Sequence, residues 1–131
     1  MKAFIVAVSM LCAAAAAGAE PPADSASIAA AKLMKARADQ GDAEAMYVLG
    51  FLAAQFGPRP FAKESADAPA WKALLGAQTT GADWLNKSAE AGYSPAIDAV
   101  CRIGQDRLAP AALREERAAK CTELRTKYPA R

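Results

Sequence analysis

The chain has 131 residues, no histidine, 16 Lys and Arg against 14 Asp and Glu, and 53% hydrophobic residues. This balance argues against nucleic acid as the main partner, which calls for a basic stripe. The missing histidine excludes a Ser-His nucleophile and a His-ligated metal.

The opening MKAFIVAVSMLCAAAAAGAE carries one positive charge at Lys2, then an apolar and small-residue run closing on Ala17-Gly18-Ala19. That is the pattern of a secretory signal with an A-x-A cleavage site, so residues 1–19 are expected to be removed and the product to be periplasmic or secreted. The run is short and alanine-rich for a membrane span, and no span is expected after cleavage. Cys12 is not preceded by the small residues of a lipobox and is read as a passenger thiol. Residues 20–131 are then expected to form one domain with a modest core.

Alanine, leucine, methionine, lysine and glutamate dominate, and no segment sustains a two-residue period, so the class is all-α. The first helix is expected to be capped by Ser25 or Ser27 and to run to Gly41, which can take a left-handed conformation. Asp42 reads as the cap of AEAMYVLGFLAAQF, which Gly57, Pro58 and Pro60 terminate. Together these form repeat one, about 25–56, a helix, a tight turn and an antiparallel helix.

Residues 57–70 are polar, proline-bearing and aperiodic, and read as an insert loop longer than helical hairpins usually use. A short helix is expected over Trp71–Ala77. Thr79 or Thr80 then caps ADWLNKSAEA, Gly92 closes it, and Ser94-Pro95 reads as cap and first position of PAIDAVCRIGQDR. This makes repeat two, about 71–107. A capping helix is expected over 110–128, with Leu113, Ala118, Cys121 and Leu124 as its stripe and Arg114, Glu115 and Arg117 facing water.

Two cysteines outlast the leader, Cys101 and Cys121. In an exported domain they read as a structural disulfide, stabilising by about 3 kcal/mol in the chain-entropy model. Charge is uneven: residues 20–101 hold seven bases and ten acids, whereas 102–131 hold eight bases and four acids. The basic end reads as the solvated face of the last helix.

An offset of 51, which places Gly41 on Gly92, also places Leu33 on Trp84, Met34 on Leu85, Ala38 on Ala89, Ala45 on Ala96 and Leu49 on Val100. The pattern at Ala38, Gly41, Ala45, Leu49 and Gly50 and the segment Ala82 to Ala96 resemble the Sel-one-like repeat, a family of helical hairpins related to tetratricopeptide repeats. The second copy carries the family's aromatic as Trp84, its central motif as Lys87-Ser88-Ala89-Glu90 with Gly92, and its small residue as Ala96. Val100-Cys101 replaces Leu-Gly. The resemblance implies a short α-solenoid, with these residues packing one repeat on the next.

The same resemblance implies a binding scaffold rather than a catalyst, with no cofactor and no metal. The expected function is an exported adaptor that binds another envelope protein or a peptide segment. Tyr47 and Phe51, Phe61 and Trp71, and Trp84 and Tyr93 are the candidate contacts. For Tyr47, Phe51 and Trp84 core packing is the simpler reading, whereas Phe61 lies in a polar loop with less reason to be buried. The alternatives are a thiol-redox protein using Cys101 and Cys121, with Arg102 or Lys120 lowering a thiol pKa, and a self-assembling structural protein of the envelope.

Overall fold

The computed structural model describes residues 24–59, 63–76, 78–103, 105 and 107–130. The expected signal peptide and Phe61 lie outside them. The order is α1 (Ala26–Ala38), α2 (Ala43–Phe56), α3 (Ala68–Leu75), α4 (Gly81–Glu90), α5 (Ser94–Ile103) and α6 (Ala111–Lys127), with no strand among the described residues. None of these helices is long and apolar enough to cross a membrane.

Helices α1, α2 and α4 start on side-chain caps. Ser25 Oγ accepts from Ile28 N at 3.3 Å, and Asp42 Oδ1 accepts from Ala45 N at 3.0 Å. Thr80 and Asp83 form a reciprocal capping box, which satisfies two otherwise orphaned donors at the start of α4. For α5 the cap lies one residue earlier than Ser94-Pro95 suggests. The Tyr93 carbonyl accepts from Ile97 N at 3.1 Å, so Tyr93 is the boundary residue and Ser94 the first helical one.

The two hairpin turns are chemically the same. Gly41 N donates to the Ala38 carbonyl at 3.0 Å and Asp42 N to that of Arg37 at 3.2 Å. Fifty-one residues later, Gly92 N donates to Ala89 at 2.9 Å and Tyr93 N to Ser88 at 3.2 Å. Both glycines are left-handed, at φ 90° and 87°. These are the two bonds of a Schellman motif, which needs a residue without a Cβ penalty at that position.

α1 packs along α2, α2 on α4, α4 on α5 and α5 on α6, while α3 lies against α1. The first core gathers Ile28, Ala31, Leu49, Ala53, Trp71 and Trp84. The second gathers Ala89, Ala96, Ile97, Val100, Cys101 and Leu124, with Tyr47 and Tyr93 packed against it. Helices α2 and α4 approach closest at two glycines. A Cβ on Gly50 would lie 2.8 Å from the Gly81 carbonyl oxygen, and one on Gly81 would lie 2.6 Å from that of Gly50. Two turns along from this crossing, the wholly buried Ser88 of α4 donates its hydroxyl to the Ala43 carbonyl of α2 at 2.5 Å.

Several expectations are revised. α3 begins at Ala68, inside the expected insert loop, and Trp71 joins the first core rather than the second hairpin. Leu33 is 67% exposed although its counterpart Trp84 is 5% exposed, because only α4 has a preceding hairpin to lie on. Phe51 is half-exposed: it falls outside the arc of Ala45, Leu49 and Ala53 that α2 buries. On α6, Ala118 is exposed and Arg117 half-buried. The buried direction therefore runs through Leu113, Arg117, Cys121 and Leu124, at steps of four, four and three.

Candidate interaction groove

α6 packs along α5 and leaves a groove between itself and α4, of about 570 Å³. Its floor and walls are apolar at Leu85 on α4, Val100 and Ile103 on α5, and Leu113 on α6. Leu85 and Val100 are buried, whereas Ile103 remains 44% exposed. Ile103 is the one of these four most open to water, and apolar area left so exposed costs about 25 cal/mol per Å². The position of Leu85 follows from the capping box that starts α4 and from the Gly50–Gly81 crossing that seats it. Ile103 is at the last turn of α5, where the helix ends.

Polar groups sit at defined points around this floor. Asn86, on α4, is half-buried and lines the groove, and its side chain makes no hydrogen bond among the described residues. Its amide offers a donor and an acceptor side by side, the pairing that a peptide backbone unit requires. Lys120 of α6 spans the groove's end to Glu90 of α4, Nζ to Oε1 2.8 Å. That hydrogen bond raises the Lys120 pKa, against a smaller opposing effect of desolvation. Arg117 reaches the Ile103 carbonyl at 3.5 Å. Glu116 and Glu123 stand on the rim and make no ion pair among the described residues.

Tyr128, just past the end of α6, fastens the chain to α4 outside the groove. Its hydroxyl donates to the Glu90 carbonyl at 2.8 Å, and its ring fills the space beside Gly92 that a side chain would occupy. Cys101 and Cys121 are joined, Sγ to Sγ 2.02 Å with Cα atoms 5.0 Å apart, and tie α5 to α6. The Lys120 ammonium, expected to act on a thiol, is committed to Glu90 instead.

The sequence-nominated contacts are not gathered in this groove. Trp71 has no exposed area and is a core residue, so it offers no surface to a partner. Its Nε1–H and that of Trp84 are buried without an acceptor among the described residues, at a cost of about 1–3 kcal/mol each. The burial of about 150–250 Å² per indole outweighs that cost. Two ammonium groups also stack on the Trp84 ring, Lys87 at 4.4 Å and Lys35 at 5.6 Å from its centroid. Tyr47 and Tyr93 meet with centroids 5.5 Å apart, half-buried at the seam between the two hairpins. Of the residues named for repeat packing, Ala38, Ala45, Leu49, Gly50, Trp84, Ala89, Ala96 and Val100 are buried, while Gly41 and Gly92 hold the turns.

Comparison with known proteins finds no matching family model, no matching curated protein and no matching solved structure.

Proposed function

We propose that this protein is an exported adaptor built on the Sel-one-like plan, a short α-solenoid whose α4–α6 groove receives a segment of another envelope protein. The observation that carries the reading is an open groove with an aliphatic floor, Ile103 exposed at its base and the unpaired Asn86 amide beside it. A site lined by apolar side chains with a few placed polar groups is built to hold and orient a ligand. Support for the repeat plan comes from the two Schellman turns 51 residues apart and from the small residues at the α2–α4 crossing. The apolar leader at residues 1–19 supports export, and the bonded cysteines fit an oxidising compartment. The role is binding, and no catalytic step or cofactor is assigned to it.

The test is affinity capture from an envelope extract with the oxidised protein beside two variants. In one, Ile103→Glu places a charge on the groove floor. In the other, residues 58–66 become a glycine-serine linker, sparing α3. Partners kept by the linker variant and lost by Ile103→Glu, with both variants helical by circular dichroism, support the groove. Partners lost only by the linker variant move the site to the insert and refute the reading.

A further inference from the structure

We infer that α6 is a reducible latch: the Cys101–Cys121 bond holds the α6 wall of the groove in place, and a dithiol reductant releases it. The inference stands on how little else fastens this helix. Of its 17 residues only Leu124 is buried. Its polar ties are Lys120 and Tyr128 to Glu90, Arg117 to the Ile103 carbonyl, and Arg125 to Asp98 at 3.9 Å. Exposed ties of this kind contribute little each. By contrast, α1, α2 and α4 share a core that includes wholly buried Ile28, Leu49 and Ser88. An isolated helix the length of α6 is marginal in water, so once freed it frays rather than persisting as a rod.

The two sulfurs are unequally placed, since Cys101 is 4% exposed and Cys121 is half-buried. A reductant of the dithiol class, such as a thioredoxin-like protein, therefore attacks Cys121 Sγ. Its thiolate forms a mixed disulfide there while Cys101 leaves as a thiolate and takes up a proton. The reductant's second thiol then attacks its own sulfur in the mixed disulfide, so Cys121 leaves as a thiolate and is protonated in turn. Two electrons and two protons pass to the protein, and the reductant becomes a disulfide. Release uncovers Ile97 and Val100 on α5 and removes Leu113 from the groove, so the groove exists only in the oxidised chain. This functional consequence rests on the adaptor reading, whereas the release itself does not.

Hydrogen exchange of the purified oxidised protein, before and after dithiothreitol, tests the latch without any partner. The expected result is that amides of α6 exchange about a hundredfold faster once the bond is open, the equilibrium factor for freeing a loop of this length. Amides of α1, α2 and α4 stay within about twofold, as expected when opening is local. A Cys101→Ser/Cys121→Ser variant reproduces this pattern without reductant, and reoxidation of the native protein restores protection if that variant does not fold. Unchanged α6 protection, or loss of protection in all helices together, overturns the latch. If α6 is released but captured partners are retained, the latch stands and the groove is removed as their binding site.

Discussion

Replacing Gly50 by alanine sets two effects of similar size against each other, and the structure decides between them. In the interior of a helix the change is favourable by about 1 kcal/mol, because alanine loses less backbone freedom on folding. Here the new methyl would lie 2.8 Å from the Gly81 carbonyl oxygen and 2.9 Å from both Leu85 N and Leu85 Cγ. Two of those three atoms are backbone and cannot rotate away. Relief requires α2 and α4 to part by about 0.6 Å, and a gap of that order forfeits a quarter to a half of the dispersion energy of the facing atoms. Overpacking of this kind costs about 1–3 kcal/mol, leaving a net loss of about 0–2 kcal/mol. Urea denaturation followed by circular dichroism measures it. Gly81→Ala meets the same contact from the other side, with its methyl 2.6 Å from the Gly50 carbonyl and 2.8 Å from Ala54 N. Once one substitution has parted the helices the second costs less, so the double variant should lose less than the sum of the singles. A Gly50→Ala protein more stable than the parent, or strictly additive singles, would refute the close crossing.

The two turn glycines should separate under the same substitution. Gly41→Ala meets open space and bears only the left-handed backbone penalty of about 1–2 kcal/mol. Gly92→Ala adds a methyl 2.7 Å from the Tyr128 ring and should cost more by thermal melting, a difference that Tyr128→Ala abolishes. Thr80→Ala removes the capping box of α4 and should cost about 1 kcal/mol in urea. The Asp42 carboxyl is held below its ordinary pKa of 3.8, chiefly by the Ala45 amide and then by Arg37. A depressed carboxyl contributes stability that is full above its unfolded pKa and lost as pH falls through the folded one. Stability should therefore decline below about pH 4, and Asp42→Asn should flatten that decline in denaturation curves.

The elements were legible wherever a local backbone requirement selects the residue. Gly41 and Gly92 announce left-handed turns, Asp42 and Thr80 announce caps, and the offset of 51 finds both turns because each needs the same chemistry. Positions set by a distant neighbour were not legible. Gly81, in Gln78-Thr79-Thr80-Gly81, reads as a loop glycine, and only the approach of α2 makes it a packing residue. Tyr128 reads as a helix end, and its bond to Glu90 lies 38 residues away in sequence. Asn86 reads as one polar residue on an amphipathic helix, without any signal that it is left unpaired beside a groove. The exposure of Phe51 could have been read from its phase, since it lies well off the arc of Ala45, Leu49 and Ala53.

The α1 end and the α6 end of the helical domain are fastened by different means. At the α6 end the closure is covalent, through Cys101 and Cys121. At the α1 end it is an indole: α3 lies on α1 and inserts Trp71, wholly buried, into the core that Trp84 enters from α4. α3 thus covers the first core from the α1 side, and it begins three residues before the short helix expected from Trp71. Its worth can be compared with that of the bond. Trp71→Ala leaves a ring-sized void and should cost about 3–5 kcal/mol, offset in small part by removing the unpaired indole N–H. Opening the disulfide should cost about 3 kcal/mol. The two losses should also differ in reach. Trp71→Ala weakens the core shared by α1, α2 and α4, so it lowers the melting temperature of the whole domain, whereas opening the bond frees α6 and leaves that core intact. Hydrogen exchange in Trp71→Ala showing loss confined to α3, with α1 and α2 protected as in the parent, would mean that α3 is an appendage and that the first hairpin is stable without it.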